Sequence, residues 1–167
     1  MNLYILRHGI AVEHGAPGYA KDADRPLTAE GERKLGQVAE AMEALGLSFD
    51  LILSSPYVRA RQTAEIIAEA LDARKKLEFS NSLACGGDKK ELVDYLSRLQ
   101  PPPENMLLVG HEPYLSGLVS MLVAGTENSC VVLKKGGLCK LSTESLKYGR
   151  CAALAWLLTP KQMALMA

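Results

Sequence analysis

The sequence lacks both an excess of charge of one sign and a long apolar run. Its 19 Lys and Arg residues balance 19 Asp and Glu residues over 167 positions. Without a basic excess, we expect no nucleic-acid binding through bulk charge, so any cationic site must be local. No stretch approaches the ~20 apolar residues that span a bilayer. The N-terminal apolar run is only as long as a strand, so we expect neither a membrane span nor a secretory signal.

The cysteines lack the spacing of a metal or redox motif. There are four of them, and no two form a C-x-x-C pair or join a Cys/His cluster: Cys85, Cys130, Cys139 and Cys151. We therefore expect reduced thiols in a cytoplasmic protein with no metal and no cofactor. A disulfide pair or a zinc site is the alternative.

Short apolar runs alternate with helical patterns along the chain. The runs predict strands at 2–7, 50–54 and 106–110, with a weaker one near 77–79. The helical patterns predict helices at 28–45, 56–71, 88–99 and 113–123. Residues 130–158 indicate further strands around turns at Gly136-Gly137 and at Gly149. This alternation predicts one α/β domain over 1–167, a three-layer α/β/α sandwich with a mixed, mostly parallel sheet.

Polar residues follow three of the predicted strands, in stretches 7–9 (RHG), 54–59 (SSPYVR) and 110–113 (GHEP). In the second stretch Ser55 is a candidate N-cap and Pro56 a candidate first helical residue, which places Arg59 in the first turn. Because parallel strands end at the same edge of a sheet, two arginines and two histidines are expected to meet there.

That combination suits phosphoryl transfer without a metal. Arg7 and Arg59 supply forked, permanently charged donors for phosphoryl oxygens. Nearby positive charge should lower the pKa of a histidine, and a neutral imidazole is a nucleophile. The residues therefore predict a covalent phosphohistidine, with one histidine attacking and the other holding the same phosphoryl group.

Four stretches resemble motifs of the histidine phosphatase superfamily, which is also called phosphoglycerate mutase-like. They are 3–9 (LYILRHG), 25–31 (RPLTAEG), 53–64 (LSSPYVRARQTA) and 109–113 (VGHEP). The resemblance implies the same three-layer fold. It implies that His8 is the nucleophile and that Arg7, Arg59 and His111 complete the phosphate-binding pocket.

Within the superfamily, the chain is most similar to the SixA-type phosphohistidine phosphatases. Three features indicate this group: the 25–31 segment, the start of the first strand at residue 2 and the short chain. Since little chain is left for a lid, we expect an open pocket and a monomer acting on a phosphohistidine-bearing partner protein. A phosphomonoesterase of the same mechanism acting on a phosphorylated small molecule is the alternative. A non-catalytic phosphoprotein-binding module is the alternative outside enzymes.

The proton donor has two candidates. Glu112 matches the acid that follows the second histidine in one branch of the superfamily. In the alternative interpretation, the Glu112 carboxylate is only a charge that the dipole at a helix N-terminus stabilises. Glu78 is the nearest candidate for the glutamate that the mutase branch uses.

Two other basic groups are open to interpretation. Arg25, in the long irregular segment 10–27, either braces that loop through Asp22 or Asp24 or faces substrate. The Lys134-Lys135 pair is interpreted as a solvated surface beside a hairpin turn.

Overall fold

The sheet places the ends of three parallel strands side by side. The computed structural model describes residues 1–128 and 131–167. The strands are β1 Asn2–Arg7, β2 Leu51–Ser54, β3 Leu77–Phe79, β4 Asn105–Gly110, β5 Leu138–Ser142 and β6 Ala153–Leu158. Their order is β3-β2-β4-β1-β5-β6; β1 to β4 run parallel to one another, β5 runs antiparallel to β1, and β6 runs antiparallel to β5. The mixed, mostly parallel sheet is confirmed.

Helices cover both faces of this sheet. They are α1 Ala29–Ala44, α2 Val58–Ala70, α3 Lys89–Ser97, α4 Tyr114–Ala124 and α5 Pro160–Met163. Because side chains alternate along a strand, Leu3 and Ile5 point to one face of β1 and Tyr4 and Leu6 to the other. The first pair packs in a core with α3 and α4, and the second pair in a core with α1, α2 and α5. The result is the three-layer sandwich that the sequence predicts.

The second helix begins later than predicted. Its N-cap is Tyr57 and not Ser55, and its first residue is Val58. The Ser55 hydroxyl instead accepts a hydrogen bond from the Tyr57 N–H at 3.3 Å, which closes a tight turn before the helix. Arg59 still lies in the first turn, so its predicted position is confirmed.

The Gly136-Gly137 turn does not join two strands, and the predicted hairpin there is wrong. Among the described residues, 131–137 contain no strand. The turn packs instead on the end of β1, where the Gly136 N–H donates to the carbonyls of Arg7 at 3.0 Å and His8 at 3.1 Å. Gly136 has φ of +75°, a conformation that favours glycine. The predicted strands on either side of Gly149 are present as β5 and β6.

Three observations bear on the features that the sequence lacks. No helix in the described ranges is long and apolar enough to cross a membrane. Cys85, Cys139 and Cys151 are free thiols, and Cys130 lies outside the described residues. Within 1–128 and 131–167, no group of three His, Cys, Asp or Glu side chains could hold a metal ion. The cytoplasmic location and the independence of metal stay predictions.

Candidate active site

The ends of β1 and β4 and the first turn of α2 bring four predicted side chains together. Arg7 and His8 stand at the end of β1, His111 follows β4, and the His8 N–H donates to the Gly110 carbonyl at 3.0 Å. The two imidazole centroids lie 5.1 Å apart, and Arg59 Nε is 3.3 Å from His8 Nε2. His8, Arg59 and His111 are only 6%, 3% and 2% exposed. The three side chains are therefore packed by the rest of the fold, and the open shape of the pocket stays a prediction.

His8 is held as a neutral imidazole. Its Nδ1 lies 2.7 Å from the Gly9 carbonyl oxygen. Because a carbonyl only accepts hydrogen bonds, Nδ1 carries the proton and Nε2 keeps a lone pair, to which Arg59 Nε donates. Burial lowers the pKa of His8 to about 3, the bond to Gly9 opposes this, and His111, Arg59 and Arg7 lower it further. The predicted direction is correct, but burial and not neighbouring charge is the largest cause.

Asp22 fixes the orientation of Arg59. The Arg59 guanidinium donates through Nη1 to the Asp22 carbonyl at 2.7 Å and through Nη2 to Asp22 Oδ2 at 2.9 Å. The backbone of Arg59 is connected to the residue after His8. The Thr63 hydroxyl donates to the Arg59 carbonyl at 2.7 Å and accepts from the Gly9 N–H at 3.1 Å. With both Nη groups held, the Nε edge of the guanidinium faces His8.

Arg25 braces the loop, which is the first of its two interpretations. Its Nε and Nη2 donate to Asp22 Oδ1, and its Nη1 donates to the Val12 carbonyl at 2.6 Å. Burial raises the pKa of Asp22, but the hydrogen bonds from Arg25 and Arg59 outweigh it, so the pKa lies below its usual value. Sequence reasoning connected Asp22 only with Arg25 and missed its contact with Arg59.

Of the two ring nitrogens of His111, Nε2 contacts Ser55 and Nδ1 has no partner among the described residues. Its Nε2 lies 2.7 Å from the Ser55 hydroxyl. The same hydroxyl oxygen also accepts from the Tyr57 N–H, and since a hydroxyl donates one hydrogen bond and accepts two, this contact fits either neutral tautomer of His111. Burial lowers the pKa of His111 to about 4, and Arg59 lowers it further, so the ring is neutral at pH 7.

Two buried side-chain nitrogens at this site have no hydrogen-bond partner in the described part of the chain. They are His111 Nδ1 and Arg7 Nε. Buried polar groups are nearly always paired, so the two nitrogens mark this site as a candidate for ligand binding. The Arg7 Nη1 donates to the Leu133 carbonyl at 3.0 Å, which holds the guanidinium in place. A guanidinium held in this way suits an anion with several oxygens, such as a phosphoryl group.

Sequence reasoning also missed Tyr57. Its ring centroid lies 5.1 Å from that of His111, and the Arg59 guanidinium carbon lies 5.3 Å from the same ring. The half-buried ring therefore packs against two of the four predicted side chains. Its place directly before a helix that carries Arg59 in its first turn is the only signal in the sequence.

The two acid candidates lie in different places. Glu112 Oε1 accepts from the Ser116 N–H at 3.0 Å, which places its carboxylate at the N-terminus of α4 as the second interpretation expects. Its charge also raises the pKa of Arg7, which burial lowers. Glu78 is exposed on β3 and lines a cavity with Asp50 that none of the four pocket residues shares. The role of Glu112 as a proton donor stays a prediction.

Known proteins are similar to this chain over most of its length. A family model described as histidine phosphatase superfamily (branch 1) matches residues 3–84. The phosphohistidine phosphatase SixA of Escherichia coli strain K12 is 30% identical over 126 residues, which cover 75% of this chain and 76% of SixA. An uncharacterised protein of Picosynechococcus sp. is 40% identical over 139 residues, covering 83% of this chain and 82% of that protein.

A solved structure extends the likeness to the whole fold. The structure of the protein histidine phosphatase SixA complexed with tungstate superposes with a TM-score of 0.83 at 25% sequence identity. The superposition covers 96% of this chain and 98% of that one.

Proposed function

This chain belongs to the histidine phosphatase superfamily, and we propose that it removes the phosphoryl group from phosphohistidine in a partner protein. Phosphatase activity follows from the family. The observation that carries the mechanism is the state of His8, whose Nδ1 donates to Gly9 while Nε2 keeps its lone pair in a buried pocket. The similarity to a phosphohistidine phosphatase over three quarters of the chain supports the choice of substrate.

The reaction has two steps. In the first, the lone pair of His8 Nε2 attacks phosphorus. The substrate imidazole has taken up a proton from solvent on its other ring nitrogen, so it leaves uncharged when its bond to phosphorus breaks. In the second, a water oxygen attacks phosphorus, the bond to Nε2 breaks, and inorganic phosphate leaves with both protons of the water as Nε2 regains its lone pair. Arg7, Arg59 and His111 donate hydrogen bonds to the phosphoryl oxygens, where charge builds up in both transition states.

The carboxylates near the pocket favour phosphohistidine over a phosphate ester. Asp22 is held between two arginines with a lowered pKa, so it is ionised and has no proton to give. Glu112 is engaged by the N–H of Ser116. An alkoxide leaving group requires a positioned acid. An imidazole, with an ordinary pKa of about 6.5, is easily protonated and requires less assistance.

The substrate class is tested by comparing kcat/KM for a phosphohistidine peptide with kcat/KM for p-nitrophenyl phosphate and sugar phosphates. We expect a clear preference for the phosphohistidine peptide. Preference for a small ester would establish the small-molecule phosphomonoesterase instead. Labelled protein, quenched in alkaline detergent to preserve phosphohistidine, is expected to carry phosphate on His8. A protein that binds the peptide without turnover or labelling would be a binding module.

Independence of metal is part of the proposal, since two guanidinium groups supply the positive charge. We expect dialysis against EDTA to leave kcat/KM unchanged. Loss of activity that added divalent metal restores would contradict this.

A further inference from the structure

A groove whose wall has five cations and five uncharged residues lies beside the catalytic pocket. Its volume is about 930 Å³, and Arg7 is the only one of the four pocket residues on its wall. The other cations on its wall come from α1, from the loop before β5 and from α5. They are Lys34, Lys134, Lys135 and Lys161, and we call the groove that they line the lysine groove. No acidic residue among the described ones lines it. In a chain without net charge, this is a marked local concentration of positive charge.

Most of this charge is not neutralised. Lys34 pairs with Glu30 at 2.7 Å on α1. The side chains of Lys134, Lys135 and Lys161 are exposed, and in the described structure no carboxylate lies within ion-pair distance of them. Like charges gathered without counter-charges repel one another, so the arrangement is stabilised when an anion binds.

The loop that carries two of the lysines is fixed to the catalytic strand. The Leu133 carbonyl accepts from Arg7, and the next two residues are Lys134 and Lys135. The Gly136 N–H then donates to the carbonyls of Arg7 and His8. The backbone that carries these lysines is therefore held next to Arg7 and His8.

We propose that the lysine groove binds carboxylates that flank the phosphohistidine of the substrate protein. This inference rests on the proposed function and adds to it that the substrate segment is acidic. Sites for small molecules enclose most of the ligand and use a few fixed polar groups. Here three of the four lysines are exposed and come from two separate parts of the fold, the loop before β5 and α5, which suits side chains on the surface of a macromolecule. Such charges act mainly on association and on the choice of partner.

The experiment uses two synthetic phosphohistidine peptides that differ only in the residues on either side, which are glutamates in one and glutamines in the other. The wild-type protein is expected to have a kcat/KM roughly tenfold higher for the acidic peptide, through a lower KM. This preference is expected to decrease as sodium chloride is raised.

The groove variant is Lys134→Gln, Lys135→Gln and Lys161→Gln together. We expect it to lose the preference for the acidic peptide while its turnover of free phosphohistidine changes less than about twofold. The matched control makes the same change in charge outside the groove with Lys75→Gln, Lys76→Gln and Lys147→Gln, and is expected to keep the preference.

Two results would overturn the docking inference and leave the proposed function standing. One is equal kcat/KM for both peptides in the wild-type protein. The other is a preference that the groove variant retains or that the control variant also loses. If the groove variant instead lost turnover only of small compounds with two phosphates, the groove would be a small-anion subsite and the docking role would be wrong. A wild-type protein that hydrolyses esters but neither free phosphohistidine nor either peptide would refute the proposed function, and this inference with it.

Discussion

Arg59 in the catalytic pocket is almost completely buried, and its Nε and both Nη groups each donate to a partner. Lys134 and Lys135 in the lysine groove are exposed on flexible side chains with no carboxylate beside them. Both regions are cationic and share Arg7 as a common wall. A buried cation with fixed geometry stabilises charge in a transition state, whereas an exposed one attracts and selects a partner. Substitutions in the pocket should therefore change kcat for every substrate. Substitutions in the groove should change KM only for substrates with carboxylates beside the phosphohistidine.

The largest effect is expected for His8→Ala. Removal of the nucleophile should lower kcat by about a thousandfold or more on every substrate, with the groove intact. His14→Ala is the matched control, because His14 is exposed in the loop after β1. Since His8 is buried, thermal unfolding of both variants should be recorded to show that they are folded. Phosphate found on His8→Ala protein, or activity retained by it, would contradict the covalent mechanism.

Arg59→Ala is expected to have the next largest effect. The loss of a buried donor to the phosphoryl oxygens should raise the activation free energy by about 2–4 kcal/mol, visible in kcat for peptide and free phosphohistidine alike. Arg61→Ala removes an exposed arginine from the same helix, where it pairs with Glu65, and should retain activity. If Arg59→Ala changed only KM for the acidic peptide, Arg59 would act in docking. The distinction between the catalytic pocket and the lysine groove would then be wrong.

The stability of the protein should depend on pH through the pocket. The folded pKa values of His8 and His111 are about 3 and about 4, below the unfolded value of about 6.5. As pH decreases from 6.5 towards 4, the unfolded chain binds protons that the folded chain does not, so the free energy of unfolding decreases. The limiting slope is about 1.4 kcal/mol per pH unit for each histidine.

Urea unfolding at several pH values measures this slope. His111→Gln should reduce it, and His14→Gln should leave it as in the wild type. Equal slopes in the wild type and His111→Gln would show that His111 is not held neutral by burial.

A smaller effect is expected for Asp22→Asn. The variant weakens the contacts that orient Arg59 but keeps a side-chain oxygen, so kcat should decrease by roughly three- to tenfold. KM should not increase, because one negative charge near the phosphoryl group is lost. Asp24→Asn in the same short turn is the control and should behave as the wild type. A higher KM with unchanged kcat would show that Asp22 acts on substrate binding and not on the orientation of Arg59.

Much of the pocket could be predicted from the sequence because its side chains directly follow buried strands. The apolar run before Arg7 and His8 indicates a strand, and parallel strands bring their carboxyl ends to one edge. The contact of Asp22 with Arg59 could not be predicted, since it joins residues 37 positions apart across an irregular loop. The start of α2 was misplaced because Ser55 is a good N-cap by type, yet its hydroxyl is taken up by Tyr57 and His111.

The sequence alone determined which groups reach the carboxyl edge of the sheet, because the alternation of strands and helices sets the direction of each strand. It thereby assigned Arg7, His8, Arg59 and His111 to one site. Only the tertiary structure decided which nitrogen of His8 carries the proton, through the Gly9 carbonyl, and that burial is the largest cause of its lowered pKa. The lysine groove is likewise a tertiary feature. Its cations come from α1, from a loop about a hundred residues later and from α5, and only the packing of that loop on the end of β1 brings them beside Arg7.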